Sequence, residues 1–262
     1  NHPAMSTDIT IATPLDLPCG AKLPNRIVKG AMTEGLADPL SRATQEHEVL
    51  YRRWSQGGAG MLLTGNVQID RRYMERPGNV AIEGPQSNEA LARLAAFAEA
   101  GTVAGNHLWM QISHAGRQTP VSVSKTPAGP SNIPVGLPGK NFGVPRALSH
   151  DEILDIIKRF ANAAGVAKAT GFTGVQLHGA HGYLISEFLS PDVNNRTDGW
   201  GGSLENRAKL LLEAVRARLP DQRETQLFRF PERRLFAGGF HSGGPVAGTG
   251  GSGPAGNFRW HL

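Results

Sequence analysis

The residues best equipped for chemistry lie in one short run, Gly174-Val-Gln-Leu-His178-Gly-Ala-His181-Gly-Tyr183. Two imidazoles and a phenol leave a short apolar segment together. A histidine can donate a hydrogen bond to a carbonyl oxygen, and a tyrosine can deliver a proton. The spacing also describes a polar pair at a strand end, satisfied by backbone. Zinc is poorly supported, because no carboxylate stands at motif spacing beside the pair, and no metal site is expected. Other polar groups stand at the ends of apolar segments in the same way: Thr33, Gly65 with Asn66, and Gln111 with His114.

The elements that must position these groups follow from periodicity. Ile27–Met32, Met61–Val67, Leu108–Ser113 and Gly174–His178 have the length and apolar character of buried strands. Between them come amphipathic stretches. Thr44–Trp54 turns Val49, Leu50 and Trp54 inward, and Leu91, Leu94, Ala95 and Ala98 recur at helical spacing. A loop rich in Pro and Gly (Thr119–Arg146) precedes the capping box Ser149-x-x-Glu152. The helix it opens buries Ile153, Ile156, Phe160, Ala163 and Ala167. Ser203 caps a last helix with Leu204, Ala208, Leu211, Val215 and Leu219 on one face.

The resulting order, β-α-β-α-β-α-β-α, argues for an α/β protein with a parallel sheet and helices outside it. A doubly wound sheet and a (β/α)8 TIM barrel both satisfy that order. No Gly-rich fingerprint follows the first strand, as a dinucleotide-binding fold would require. Polar residues instead collect at the C-terminal strand ends, where a barrel builds its active site. The barrel is favoured, with only about its first four βα units written in the chain.

Composition narrows the classes further. With 39% hydrophobic and 19% charged residues, the chain can bury a substantial core. The single cysteine, Cys19, excludes a disulfide framework, a cysteine-ligated iron–sulfur cluster and a zinc ribbon. No apolar run approaches the ~20 residues of a membrane span, and the first residues do not read as a signal peptide. The expectation is a soluble, cytoplasmic protein with no membrane partner. The net charge of +5 is partly a property of residues 221–262, which hold five Arg, no Lys and three acids. It gives weak support for nucleic acid, and no such partner is expected.

Three motifs together resemble the Old Yellow Enzyme family of FMN-dependent oxidoreductases. They are Leu23-Pro-Asn-Arg26-Ile-Val-Lys-Gly-Ala-Met-Thr33, then Trp109-Met-Gln111-Ile-Ser-His114-Ala-Gly-Arg117-Gln118. The third is the His178–Tyr183 run with Asn195-Arg-Thr197-Asp198-x-x-Gly201-Gly-Ser203-x-Glu205-Asn206-Arg207. The resemblance covers residues 9–219 and implies a (β/α)8 barrel with FMN over the strand ends. It implies that Thr33 tunes the flavin by a hydrogen bond on the O4 side, and that Ala31 and Met32 lend backbone contacts. By the same resemblance Gly65 approaches the ring and Gln111 bonds the pyrimidine edge. His178 and His181 would grip a substrate carbonyl oxygen, and Tyr183 would donate the proton. His114 and Arg117 match the motif without a settled role, and Arg117 could equally order the long loop through salt bridges. The implied activity is hydride transfer from NAD(P)H, through flavin, to an enone-like alkene, in a protein that could form homo-oligomers.

The resemblance stops near residue 220, so the chain divides into residues 1–220, the N-terminal half of an FMN-binding barrel, and residues 221–262. In place of the family's fifth strand, V-K-L-N, stands Gln222-Arg-Glu-Thr-Gln-Leu-Phe, followed by Gly-rich text. Read from the second base of each codon, residues 223–240 can encode V-K-L-N-S-S-D-F-Q-K-G-G-F-S-Q-E-D, which begins with that strand. Residues 221–262 therefore read as an out-of-frame translation, expected to be disordered. The alternative to a working enzyme is an inactive truncated fragment or a non-enzymatic binding module.

Overall fold

The structure, a computed structural model, describes residues 9–217. Leu219 and the segment 221–262 lie outside the described residues. In chain order the elements are β1 (Leu15–Asp16), β2 (Lys22–Leu23), β3 (Val28–Lys29), α1 (Gln45–Gln56), β4 (Met61–Gln68), α2 (Asn88–Thr102) and β5 (His107–Ser113). They continue with β6 (Ala128–Gly129), β7 (Arg146–Ala147), α3 (His150–Ala169), β8 (Gly174–Leu177), α4 (Leu184–Leu189) and α5 (Leu204–Arg216). Strands β3, β4, β5 and β8 pair in that order, every pair parallel. Sequential order with a helix after each strand is the first half of a (β/α)8 barrel. A doubly wound sheet would send a later strand to the far side of the first.

The sheet feeds two cores, one on each face. On the helix side Leu62, Val67, Leu108, Met110, Ile112 and Val175 join Tyr51, Leu94, Phe97, Ile153 and Phe160 in one cluster. On the inner side Met61 and Leu63 form a smaller cluster with Leu23, and Leu15, Ala31 and Trp109 pack against it. The antiparallel pair β1–β2 thus plugs the N-terminal end of the inner face. The inner face also explains Gly174, since a Cβ there would lie 2.5 Å from Trp109 Nε1.

Leu62 and Val67 are an odd number of residues apart, which would place them on opposite faces of an unbroken strand. Both reach the helix-side core because the β4–β5 register shifts between Leu63 and Asn66. Leu63 stands opposite Trp109 and Asn66 opposite Gln111, so β4 carries one extra residue, a β-bulge. The backbone groups it displaces are taken by side chains. Gln111 N–H donates to Thr64 Oγ1 at 3.0 Å, and Gly65 N–H donates to Glu34 Oε1 at 2.9 Å.

Several sequence expectations are corrected by packing. Only Val28–Lys29 of the first strand is paired, and Ile27, Val28 and Met32 are exposed, because β3 is a sheet edge among the described residues. On α1 the buried line is His47, Tyr51 and Ser55, and Val49 is 61% exposed. On α2 the stripe turns to Ala90, Leu94, Phe97 and Ala98, leaving Ala95 outside. Phe97 sets that rotation, since its ring fills the space between Tyr51 and Phe172. On α5 the inward residues are Leu210 and Ala214, and Leu204 is exposed. The long loop contains β6 and β7, a short parallel pair. Among the described residues no helix is long and apolar enough to cross a membrane.

Helix α3 begins as the sequence predicts, and its buried line includes Ile153, Ile156, Phe160, Ala163 and Ala167. Glu152 N–H donates to Ser149 Oγ at 3.2 Å, and Ser149 N–H donates to Glu152 Oε2 at 2.8 Å. Ser149→Ala should lower unfolding free energy by about 1 kcal/mol, read as a drop in the urea midpoint at unchanged slope.

Candidate active site

The C-terminal ends of the four parallel strands bring most of the candidate residues into one chain of contacts. From the segment after β3, Thr33 Oγ1 lies 2.9 Å from Asn66 Oδ1 and 3.2 Å from Glu75 Oε2. The hydroxyl has one proton for these two acceptors. Asn66 is fixed by Asn79, which donates to the same Oδ1 at 3.0 Å. Opposite Asn66 stands Gln111, whose Nε2 donates to Gln176 Oε1 at 2.8 Å. Gln176 lies two residues before His178 on β8.

The histidines and the tyrosine pack edge to face. The His178 ring centroid is 4.8 Å from that of Tyr183 and 5.1 Å from that of His181. His178 Nδ1 accepts from Ala180 N–H at 3.3 Å, which leaves the proton on Nε2. Burial, helped by the neighbouring His181, presses the His178 pKa down to about 4, so the ring is a neutral donor at pH 7. Burial, then the Glu75 carboxylate, raises the Tyr183 pKa, with Arg76 opposing, so the phenol keeps its proton. Tyr183 caps α4, which carries the buried Leu184, Ile185 and Phe188. His181 is exposed, with a left-handed φ of 59° that costs a non-glycine residue about 1 kcal/mol. Gln118 holds that turn by donating from Nε2 to His181 O at 2.6 Å.

The other candidates are placed less simply. Ala31 packs against the inner core, and the Met32 side chain is exposed while its carbonyl lies against Gly65. A Cβ on Gly65 would stand 2.2 Å from Glu34 Oε2 and 2.6 Å from Met32 O, so the missing side chain already makes room for β3's neighbours. His114 is buried away from the His178 pair, with its ring centroid 5.3 Å from that of Tyr73 and Nδ1 accepting from Gly116 N–H at 3.0 Å. Arg117 does order the long loop, through the carbonyls of Ile133 and Pro134 at 3.2 and 3.0 Å, and among the described residues it forms no salt bridge. Among the described residues no group of three His, Cys, Asp or Glu side chains is arranged to hold a metal.

Sequence reasoning missed Gln176, Glu34, Glu75 and Glu187. Period-2 alternation back from His178 was a signal for Gln176; Glu34 and Glu75 lie in loops, and Glu187 lies on α4. Glu187 is buried, and burial raises its pKa well above the usual carboxylic value. It accepts from Arg117 N–H at 2.9 Å, in a socket where a Cβ on Gly116 would lie 2.1 Å from its Oε1. It therefore joins the Arg117 turn to α4.

The NADH:flavin oxidoreductase / NADH oxidase family matches residues 11–221. The chain is 38% identical over 231 residues to the NADH-dependent flavin oxidoreductase iliE of Hypocrea jecorina, covering 81% of this chain and 58% of that one. It is 40% identical over 210 residues to the NADH-dependent flavin oxidoreductase nadA of Aspergillus parasiticus, covering 76% and 47%. The structure of the old yellow enzyme homologue from Zymomonas mobilis superposes with a TM-score of 0.70 at 29% identity, covering 79% of this chain and 59% of that one. The chain thus spans about half to three-fifths of the length of these relatives.

Burial presses His114, like His178, down to about 4 from 6.5. Between those values the unfolded chain binds protons that the folded chain refuses. Stability from both rings is therefore complete above about pH 6.5 and lost as pH falls toward 4. Urea midpoints should decline across that window, and His114→Asn should flatten the decline. Carbon-13 NMR of either ring with a midpoint at or above its ordinary value would contradict the assignment.

Proposed function

We propose that this chain, which belongs to the NADH:flavin oxidoreductase / NADH oxidase family, carries the substrate-gripping half of an FMN site that passes hydride from NAD(P)H to alkenes activated by a carbonyl group. The observation that carries the proposal is the packing of a neutral His178 against His181 and a protonated Tyr183 at the strand ends. That arrangement offers hydrogen-bond donors and one transferable proton within a single substrate's reach.

The residues present fit FMN. Gln111 spends an amide proton on Gln176, which leaves the Gln111 oxygen as an acceptor and the Gln176 amide nitrogen as a donor. A flavin pyrimidine edge needs both. When bound, FMN supplies the hydride relay between nicotinamide and alkene. Thr33, whose single proton is now shared between Asn66 and Glu75, would be the hydroxyl that hydrogen-bonds the flavin on its O4 side. Ala31 and Met32 would lend it backbone contacts, and the absence of a side chain at Gly65, against Met32 O, would leave room for its close approach.

Toward the substrate, His178 donates from Nε2 to the carbonyl oxygen, and His181 is the second donor. Both favour the negative charge that develops on that oxygen as the alkene accepts hydride. Tyr183 then gives its proton to the carbon beside the carbonyl. A neutral His178 suits this task, because it stabilises charge without surrendering a proton of its own.

Residues 221–262 belong to a separate segment in this proposal. The family match ends at residue 221, which supports an out-of-frame reading from about residue 220. The chain as written is expected to lack stoichiometric FMN, and a chain with the frame restored after Leu219 is expected to bind it. The restored chain should show flavin absorbance that NAD(P)H bleaches and an enone restores; a colourless protein after FMN addition would overturn the function. In it, Tyr183→Phe should spare bleaching and slow reoxidation by enone about 100-fold or more. Loss of flavin binding in that variant would show the tyrosine misassigned.

A further inference from the structure

We propose that Glu34 is a positioning residue that sets the register of the site by holding the β4 bulge open. Its Oε1 accepts from Gly65 N–H at 2.9 Å and also from the hydroxyl of Tyr51. The same hydroxyl accepts from Lys29 Nζ at 3.3 Å, and Lys29 donates to Leu63 O at 2.6 Å. A side chain from the segment after β3, one from α1 and one from β3 itself thus converge on the two ends of the bulge. Lys29 is the counter-charge: its Nζ sits 4.1 Å from the Trp54 ring centroid, burial presses its pKa down to about 8, and Glu34 is what opposes that fall. His47, the other titratable group that feels Glu34 from α1, is lowered by burial.

The site depends on the bulge because strand alternation has a period of two. Removing the extra residue's accommodation would shift Asn66 by one position and turn it from the inner face to the helix side. Thr33 would lose its 2.9 Å partner Asn66, and Asn66 would no longer stand opposite Gln111. Gly65 and Glu34 are a matched pair in this arrangement, since a Cβ at Gly65 would lie 2.2 Å from Glu34 Oε2. A carboxylate that only stabilised a surface loop would not need a glycine on the neighbouring strand.

The test is amide hydrogen exchange on the full flavin-free chain, unsubstituted and as Glu34→Ala and Glu34→Gln. In Glu34→Ala the Gly65 and Gln111 amides should lose about tenfold or more of their protection, while the α3 amides keep theirs. Glu34→Gln retains an acceptor oxygen and should keep protection within about threefold. Protected Gly65 and Gln111 amides in the alanine variant, or a glutamine variant that behaves like alanine, would overturn the proposal. The unsubstituted chain carries a check that does not depend on a variant folding: a scalar coupling across the hydrogen bond from Gly65 N to the Glu34 carboxylate carbon. Its absence would also overturn the proposal. In the frame-restored chain, Glu34→Ala should weaken FMN binding about tenfold or more and Glu34→Gln should restore it. That arm rests on the flavin reading of Thr33 and Gln111, whereas the amide arm does not. A restored chain without FMN affinity therefore counts against the flavin site alone, and the exchange data still decide on Glu34.

Discussion

Between Leu63 and Asn66, β4 carries one residue more than β5 does between Trp109 and Gln111, and Thr64 and Glu34 take up the displaced amides. Below that point the strand alternates so that Met61 and Leu63 face the inner core. Above it, Val67 rejoins Leu62 in the helix-side core, which returns Asn66 to the inner face opposite Gln111. A regular strand could satisfy the lower core or the upper site, but not both. The hydrogen bonds from Thr33 to Asn66 and from Gln111 to Gln176 run on across the sheet to within two residues of His178. The bulge is thus where the packing of the barrel wall and the placement of polar groups meet.

The electrostatics of the rim follow from burial more than from charge pairing. His178 is held neutral and Tyr183 protonated, in both cases with burial as the leading cause. Glu75 acts on both, and its other oxygen is bonded by Arg76 at 2.7 and 3.0 Å. A neutral imidazole beside a protonated phenol can stabilise a developing oxyanion and still leave a proton to give, which an imidazolium would compete with. The low polarity that sets these states also strengthens each hydrogen bond made there.

The layer beneath the His178–Tyr183 turn is made of groups whose neighbours are tailored to them. Glu187 fills the space left by Gly116 and Gly129, and Gln118 holds the left-handed turn at His181. Trp109 does the same for Gly174 at the inner face. At Glu187 and at Trp109, glycine makes room for a particular large side chain.

Much of the fold was legible in the chain because its signals are local. The capping box at Ser149 and Glu152, the buried line of α3 and the apolar segments that form β4, β5 and β8 depend on neighbours within a turn or two. The run from His178 to Tyr183 was legible for the same reason, since one loop carries all three side chains. What the tertiary structure alone decided are contacts between elements far apart in sequence. Phe97 rotates α2 because Tyr51 and Phe172 meet it there, and Ala95 loses its expected place. The partnership of Gln111 with Gln176, 65 residues away, needs a strand register that no local periodicity contains. Glu34 read as a polar residue after a motif, and its role exists only because α1 brings Tyr51 and β4 brings Gly65 to the same carboxylate. Local preference chooses the elements, whereas register and close packing choose which side chains meet, since those energies belong to pairs of elements and to neither alone.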